Sequence, residues 1–227
     1  MIIAIDGPAG SGKSTIAKLT AVRLGFAYLD TGAMYRAITI RALEDGLDPE
    51  DTQAAWAIVE IAQAALISFG YTEGEALPTQ VFIDGRDVTF EIRTPLADRY
   101  VSAVSALPAV RAALSKQQRR LGAERDTVME GRDIGTVVFP HAELKVFLTA
   151  SPQERARRRA QQNVKRGVDQ TDEAVILAEI MRRDAYDSSR EVAPLAMASD
   201  AILLDTTELT IDEVVDRIAV LVNEKRT

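Results

Sequence analysis

Five short apolar runs recur along the chain, each bounded by turn residues and separated from the others by longer segments. They lie at residues 1–6, 26–30, 127–131, 144–148 and 201–205. Continuous apolar runs of this length are typical of strands that are buried on both faces of a sheet. Their alternation with segments of helical spacing predicts an α/β fold, with a five-stranded parallel sheet flanked by helices.

The helical period is clearest in the final segment, and residues 14–24 and 106–121 also have helical patterns. Apolar side chains of the final segment form one stripe, at Ile211, Val214, Val215, Ile218, Leu221 and Val222. Thr210 and Glu213 have the spacing of a capping box, in which each side chain bonds the other residue's backbone N–H. We predict an amphipathic helix that starts here and packs its stripe on the core.

Residues 66–101 interrupt the alternation of strands and helices. The pair Asp84-Gly85 lies between two β-rich segments and is a strong signal for a hairpin turn. We expect a small antiparallel β-containing insertion here, followed by a polar connection. The insertion would divide a core made of residues 1–65 and 102–227.

Composition and charge exclude several kinds of site. Among its 227 residues the chain has no cysteine and one histidine, His141. Disulfides, thiolate metal sites, a cysteine nucleophile and a usual Ser-His-Asp triad are therefore excluded. The net charge of −7 argues against a protein that coats nucleic acid. Since no apolar run has the length of a membrane span, we expect a cytoplasmic protein with neither a membrane nor a nucleic-acid partner.

The stretch GPAGSGKST, residues 7–15, connects the first apolar run to a helical segment. It fits the phosphate-binding loop G-x-x-x-x-G-K-[ST] in that context. In such a loop, glycines turn backbone N–H groups toward a phosphate, Lys13 adds positive charge and the Ser14 hydroxyl binds Mg²⁺. We predict that a nucleoside triphosphate binds at Gly7, Pro8, Ala9, Gly10, Ser11, Gly12, Lys13, Ser14 and Thr15. The loop alone leaves open whether the phosphate is transferred, hydrolysed or only held.

Polar residues also follow two of the other predicted strands. Thr31 and Arg36 come after the second run, and Arg132 and Asp133 come after the third. The carboxyl ends of parallel strands meet at one edge of a sheet, where ligands bind in this architecture. We therefore expect these side chains to lie beside the phosphate loop.

A stripe that begins apolar and becomes charged is present near residue 180. Its positions step by four, three, four and three, at Ile176, Ile180, Arg183, Asp187 and Arg190. They are predicted to share one helical face. Charges on such a face need partners, which are either each other, in a ladder of ion pairs, or a ligand.

Positive charge is concentrated in the run ERARRRAQQNVKRG, residues 154–167. A helix start is marked by an N-cap, a first-turn proline and a capping-box acid, at Ser151, Pro152 and Glu154. Gly167 marks its end. A solvated helix face is one interpretation; the other is a lid over residues 153–170 whose arginines close on transferred phosphates, with Arg155, Arg158 and Arg159 on neighbouring rows.

A phosphate loop, arginines from several segments and a single histidine suit phosphoryl transfer, where positioning and charge neutralisation supply most of the catalysis. The chain carries in order IDGPAGSGKST, YLDTGAMYR, DVTFEIRTP, VSAVSALPAVR, EGRDIGTVVFP, RDAYDSSREVAPL and DAILLDTT. In this combination it resembles the bacterial-type cytidylate kinases, of the nucleoside monophosphate kinase group, from end to end.

The resemblance implies a P-loop kinase with an arginine-rich lid and an enlarged monophosphate-binding domain that contains the insertion at 66–101. It implies phosphorylation of CMP and dCMP to CDP and dCDP with ATP and Mg²⁺, and we expect direct in-line transfer. The related enzymes are commonly monomeric, so we also expect a monomer. Ser14 is the residue expected to bind the metal.

The resemblance further implies roles for individual residues. Arg36, Arg132 and Arg190 match positions that grip the monophosphate. Ser102, Arg111 and Asp133 match those that read the pyrimidine, and Arg183 and Asp187 match those that contact the sugar and line the transfer path. The expected catalytic residues are Lys13, Arg132, Arg158, Arg159, Arg183 and Asp187. The expected substrate-binding residues are Thr31, Arg36, Ser102, Arg111, Arg132, Asp133, Arg183, Asp187 and Arg190.

Three alternatives remain on sequence grounds. Another P-loop kinase could use UMP, AMP or shikimate as its acceptor. A nucleotide-hydrolysing switch would share the loop, although the guanine-reading N-K-x-D sequence is absent. An RNA-binding protein could use the arginine run, but the chain is acidic and lacks aromatic stacking residues around that run.

Overall fold

Two β-sheets organise the chain in the computed structural model, which describes residues 1–167 and 169–226. The strands are Ile2–Asp6 (β1), Ala27–Asp30 (β2), Ile67–Tyr71 (β3), Pro78–Ile83 (β4), Arg86–Asp87 (β5), Thr127–Gly131 (β6), Leu144–Thr149 (β7) and Ile202–Asp205 (β8). The α-helices are Lys13–Leu24 (α1), Thr31–Glu44 (α2), Ala55–Ala64 (α3), Pro95–Ala106 (α4), Pro108–Gly122 (α5), Pro152–Arg166 (α6), Glu173–Ser188 (α7) and Ile211–Arg226 (α8). Val168, inside the predicted lid, and Thr227, at the end of the predicted core, lie outside the described residues.

The larger sheet is parallel and has the order β2-β6-β1-β7-β8. All five predicted strands form it, so the predicted α/β class is confirmed. Successive side chains of β1 point to opposite faces. Ile3 and Ile5 pack with α1 and α8 in one apolar cluster, while Ala4 packs in a second cluster with α2 and α5.

The smaller sheet is antiparallel, with the order β3-β4-β5. The predicted hairpin turn is confirmed, because Asp84 and Gly85 connect β4 to β5 with φ angles of 51° and 81°. Left-handed backbone at two successive residues matches the twist of the flanking strands. This sheet lies within the predicted insertion, whose boundaries stay a prediction.

The expected polar connection after the hairpin is wrong for residues 95–101, which begin helix α4. Thr94 caps this helix by accepting a hydrogen bond from the Ala97 N–H, and Pro95 occupies the first turn. Ala97, Val101 and Val104 bury one face at helical spacing, while Arg99 is exposed and Asp98 is half-buried. The polar residues therefore belong to the other faces of a helix, and Ser102 lies inside that helix.

The capping box of α8 is confirmed. The Glu213 N–H donates to the Thr210 hydroxyl at 3.3 Å, and the Thr210 N–H donates to the Glu213 carboxylate at 2.8 Å. The predicted stripe is buried at its central positions, but Ile211, the first residue of the helix, is exposed.

Helices α6 and α7 form a hairpin that packs through Ala156, Ala160, Ile176 and Ile180. Ser151 caps α6 as predicted, and Gly167 ends it with a left-handed φ of 66°. The predicted five-residue stripe is wrong at its last position, because α7 ends at Ser188 and Arg190 follows it. In the described part of the chain, no helix is long and apolar enough to cross a bilayer.

Adjacent leucines of β8 provide a test of this packing. Leu204 is buried against the core, whereas the side chain of Leu203 is 57% exposed. We expect Leu204→Ala to lower the free energy of unfolding by about 2–5 kcal/mol, because it leaves a cavity. The control Leu203→Ala should change it by less than about 1 kcal/mol. Urea unfolding measures both values, and equal losses would contradict this orientation of the strand.

Candidate active site

The loop between β1 and α1 has a backbone that requires glycine. Gly7 has a φ of 149°, and a Cβ there would lie 2.0 Å from the carbonyl oxygen of Leu148 in β7. Gly12 is the N-cap of α1, with a left-handed φ of 89°. The loop is thus a tight turn that ends at a helix N-terminus, where backbone N–H groups and the helix dipole favour an anion.

Lys13 is buried beside this loop. Its Nζ donates to the Pro8 carbonyl at 2.6 Å and lies 3.3 Å from the Ser11 hydroxyl. Burial, together with the nearby positive charge of Arg132, holds the pKa of Lys13 well below its usual range. An anion in the loop would stabilise the charged form of this lysine. By the same coupling, the charged lysine would stabilise the bound anion.

Ser14 lies against an acidic residue that the sequence analysis missed. The Ser14 hydroxyl donates to the Glu130 carboxylate at 2.9 Å, and the Tyr28 hydroxyl donates to the other oxygen of that carboxylate. Burial raises the pKa of Glu130, and the charge of Asp30 adds to this effect. Glu130 could have been found from its position at the carboxyl end of the strand beside β1.

A hydroxyl next to a carboxylate fits Mg²⁺, which prefers oxygen ligands. Within residues 1–167 and 169–226, no cluster of three or more acidic, histidine or cysteine side chains could hold a metal. This agrees with the usual mode for Mg²⁺, which relies on one or two protein groups together with substrate phosphates and water. Ser14 and Glu130 would fit such an ion.

Asp6, at the end of β1, holds the loop that follows β6. Its two carboxylate oxygens accept hydrogen bonds from the Ile134 N–H at 2.9 Å and the Gly135 N–H at 2.7 Å. These bonds fix the turn next to Arg132 and Asp133. Burial raises the pKa of Asp6 to about 6.

Three of the predicted arginines come from different elements, and their charges act on one another. Arg36, on α2, donates to Asp98 at 2.9 Å, while Arg132 donates to Asp187 at 3.1 Å. Arg183 has no ion pair among the described residues, and its buried Nε has no hydrogen-bond partner there. Burial lowers the pKa of Arg183 to about 10, and the charges of Arg132 and Arg36 contribute.

Thr31 is the first residue of α2, the helix that also carries Arg36. Its hydroxyl donates to the Glu130 carbonyl at 2.7 Å and is buried. This bond ties α2 to the end of β6, so in this structure the side chain has a positioning contact.

Arg111 and Asp133 form a buried ion pair, with 2.6 Å between their charged atoms. Arg111 also donates to the Ser105 carbonyl at 3.0 Å and lies over the Tyr35 ring. Nε of Arg111 is buried and has no hydrogen-bond partner among the described residues. Half-buried Ser102 lies on α4, one turn before Ser105.

The sequence analysis also missed Ser105. Its hydroxyl lies 3.0 Å from Arg190 Nη2, and Arg190 also pairs with Asp187. The spacing of three residues from Ser102 was the available signal, because such residues are neighbours on a helix. Asp187 therefore joins Arg132 and Arg190 from two elements, so the charged stripe is not a ladder confined to one helix.

The predicted lid arginines have three different environments. Arg155 is buried and donates to the Ala9 carbonyl at 2.9 Å. It pairs with Asp184, whose other carboxylate oxygen accepts from the Ala9 N–H at 2.9 Å. Arg155 thus braces the phosphate loop, and the interpretation of the run as a solvated face is wrong for this residue.

Arg158 and Arg159 lie farther along α6. Arg158 donates to the Thr206 carbonyl at 2.7 Å, and its Nη1 is 3.8 Å from where a Cβ on Gly12 would lie. Arg159 donates to Asp98 at 3.0 Å. One of these arginines therefore lies next to the phosphate loop, and the other is joined to the helix that carries Ser102.

Comparison with known proteins matches the whole chain to one family. The model of the family described as cytidylate kinase matches residues 3–224. A cytidylate kinase of Caldanaerobacter subterraneus is 51% identical over 216 residues, which are 95% of this chain and 92% of that protein. The chain belongs to the cytidylate kinase family.

Other members and neighbours agree with this placement. The cytidylate kinase of Limosilactobacillus reuteri is 47% identical over 98% of this chain and 95% of that protein. A bifunctional pantoate ligase/cytidylate kinase of Gloeobacter violaceus is 47% identical over 99% of this chain, but over only 43% of its own length. Shikimate kinase from Bacteroides thetaiotaomicron covers 98% of both chains with a TM-score of 0.51 and 11% identity, which shows the shared P-loop kinase fold.

The raised pKa of Asp6 predicts a pH dependence. Because the folded protein holds this proton up to about pH 6 rather than 3.8, it binds more protons than the unfolded chain in that window. The contribution of Asp6 to the free energy of unfolding therefore falls as pH rises from about 4 to about 6, by at most about 1.4 kcal/mol per pH unit.

We expect the free energy of unfolding of the unaltered protein, minus that of Asp6→Asn, to decline over the same window and then to level off. Urea unfolding at a series of pH values measures this difference. A difference that rises with pH, or that stays constant, would contradict the assignment.

Proposed function

We propose that this member of the cytidylate kinase family transfers the γ-phosphoryl group of ATP directly to CMP and dCMP, giving CDP and dCDP. The observation that carries the proposal is a set of buried guanidinium nitrogens, Nε of Arg111, Arg183 and Arg190, that have no hydrogen-bond partner among the described residues. Buried polar atoms are almost always paired, so three unpartnered arginine donors support a polar ligand.

The acceptor phosphate would bind to Arg36, Arg132 and Arg190, as the resemblance implies. Arg183, which the resemblance places on the transfer path, would also contact it. The absence of an anionic partner for Arg183 within the described chain, and its lowered pKa, support this placement. A phosphate relieves the mutual repulsion of these guanidinium groups, and arginine matches its oxygens in geometry. Asp187 would orient Arg132 and Arg190 around it.

Cytosine would be read by Ser102, Arg111 and Asp133. The cytosine amino group donates to a carboxylate, and its ring acceptors accept from an arginine or a hydroxyl. The Nε donor of Arg111, which has no hydrogen-bond partner among the described residues, supports this role. Uracil lacks the amino group and could not make that hydrogen bond to Asp133, the kind of mismatch that discriminates by up to about 10⁴-fold.

The donor ATP would bind in the loop from Gly7 to Thr15, with its phosphates near Lys13. Ser14 would hold Mg²⁺, which when bound neutralises charge on the transferred phosphate. Arg158 and Arg159 would supply further positive charge from the lid. Since an oxygen of the CMP phosphate is itself the nucleophile, the transfer needs no covalent enzyme intermediate.

Family membership does not favour a UMP-preferring kinase or a nucleotide-hydrolysing switch. A monomeric state, a cytoplasmic location and the lack of a nucleic-acid partner are part of the same proposal. Size-exclusion chromatography with light scattering measures the first of these directly.

The test is ADP formation from ATP and Mg²⁺ with CMP, dCMP, UMP, AMP, shikimate or no acceptor. We expect fast turnover with CMP and dCMP, and little with the others, because only cytosine matches Asp133 and Arg111. Lys13→Ala should lose about 10²-fold or more with both substrates, since it removes the charge beside the donor phosphates.

Turnover that is independent of the acceptor would indicate a hydrolase. Preference for a purine monophosphate or for shikimate would contradict the assignment of the acceptor site.

A further inference from the structure

The Asp98 carboxylate connects three elements beside the proposed acceptor site. Its Oδ1 accepts hydrogen bonds from Arg36 Nε at 3.1 Å and Arg36 Nη2 at 2.9 Å. Its Oδ2 accepts one from Arg159 Nη2 at 3.0 Å. Through this one side chain, α4 is bound to α2 and to the lid helix α6.

Both oxygens of Asp98 therefore occupy arginine donors that the nucleotides would use. Arg36 is assigned to the acceptor phosphate, and Arg159 belongs to the lid. Asp98 is charged in this state, because the positive charges of Arg36 and Arg159 outweigh the effect of burial and lower its pKa. The unpaired Arg183 also acts on this carboxylate.

We propose that the Asp98 carboxylate takes the place of the acceptor's phosphate in the nucleotide-free enzyme, and that the arriving phosphate displaces it from Arg36 and Arg159. This inference rests on the proposed function, because it requires Arg36 to bind the monophosphate. Asp98 is then a latch that competes with the substrate.

Displacement follows from charge and from the number of donors. A phosphate that takes the Nε and Nη2 donors of Arg36 meets a carboxylate already bonded to both atoms, and the two anions repel each other. The phosphate carries the greater charge and also gains Arg132 and Arg183, so it can replace the single carboxylate. Acceptor binding would thereby release Arg159, which frees the lid arginine for the donor phosphates.

A role for Asp98 in orienting Arg36 predicts the opposite change in CMP affinity. If Asp98 only oriented Arg36 for the substrate, removing the carboxylate would weaken CMP binding. If it competes, removing it strengthens CMP binding. The direction of one affinity change therefore separates a latch from a positioning residue.

Calorimetric titration of the nucleotide-free protein with CMP and with cytidine tests the latch, using Asp98→Asn and Asp98→Ala. We expect CMP to bind at least about threefold more tightly to both variants, because one charge pair no longer competes. Cytidine, which has no phosphate, should bind as it does to the unaltered protein. The control Asp216→Asn removes an exposed ion pair with Arg23 and should change neither affinity.

Unchanged or weaker CMP binding in the Asp98 variants would overturn the inference, and so would an equal gain for cytidine. A second measurement uses the unaltered protein, so it does not depend on how the variants fold. Carbon-13 NMR of the Asp98 carboxyl should show its pKa rising toward the ordinary value when CMP saturates the enzyme. A pKa that stays lowered would also overturn the latch.

The turnover panel separates this inference from the proposed function. An enzyme that is active with CMP, but whose Asp98 variants bind CMP no more tightly, contradicts only the latch. An enzyme that is inactive with CMP contradicts the proposed function itself.

Discussion

Positive charge that is held together away from solvent is the constraint on which this site depends. Lys13 and Arg183 are both buried enough for their pKa values to fall, and Arg132 contributes to each shift. Such a cluster is unfavourable in isolation, because desolvation and repulsion act in the same direction. Asp98, Asp187 and Glu130 offset part of this cost within the protein. The polyanionic nucleotides would offset the rest. Phosphate binding is therefore favourable because it relieves the repulsion between these cations and the cost of their desolvation.

The fold makes that cluster possible by placing distant segments at one edge of a sheet. In the order β2-β6-β1-β7, the carboxyl ends of adjacent strands carry Thr31, Arg132 and the phosphate loop. Gly7 lies directly against the backbone of β7, and Asp6 fixes the loop after β6. The lid is joined to the same edge through Arg155 and Asp184, which hold both the N–H and the carbonyl of Ala9. The phosphate loop, Arg36 and helix α6 are therefore joined by hydrogen bonds.

Local patterns in the sequence were sufficient to predict the parallel sheet, the hairpin turn and two helix caps. The five apolar runs became the parallel sheet, the Asp84-Gly85 turn formed as expected, and the caps at Ser151 and Thr210 are present. The same patterns failed for α4, because a helix with one buried face and a polar outer face resembles a loop when its polar residues dominate the composition. Arg190 was misplaced on α7 for a related reason, since spacing alone does not show where a helix ends.

The sequence alone did not show which charged side chains pair with one another. Arg36 and Asp98 are 62 residues apart, and Ser14 and Glu130 are 116 apart, so no local spacing connects them. Which arginines meet phosphate and which brace the protein depends on these long-range pairs. Arg155 and Arg158 look equivalent in the basic run, yet one is buried under the phosphate loop and the other reaches Thr206.

A crystal structure of the protein with bound CMP tests the central claim most directly. The account predicts the cytosine edge against Ser102, Arg111 and Asp133, and the phosphate on Arg36, Arg132 and Arg183. A CMP molecule whose base lies away from Asp133, or whose phosphate contacts none of these arginines, would contradict it.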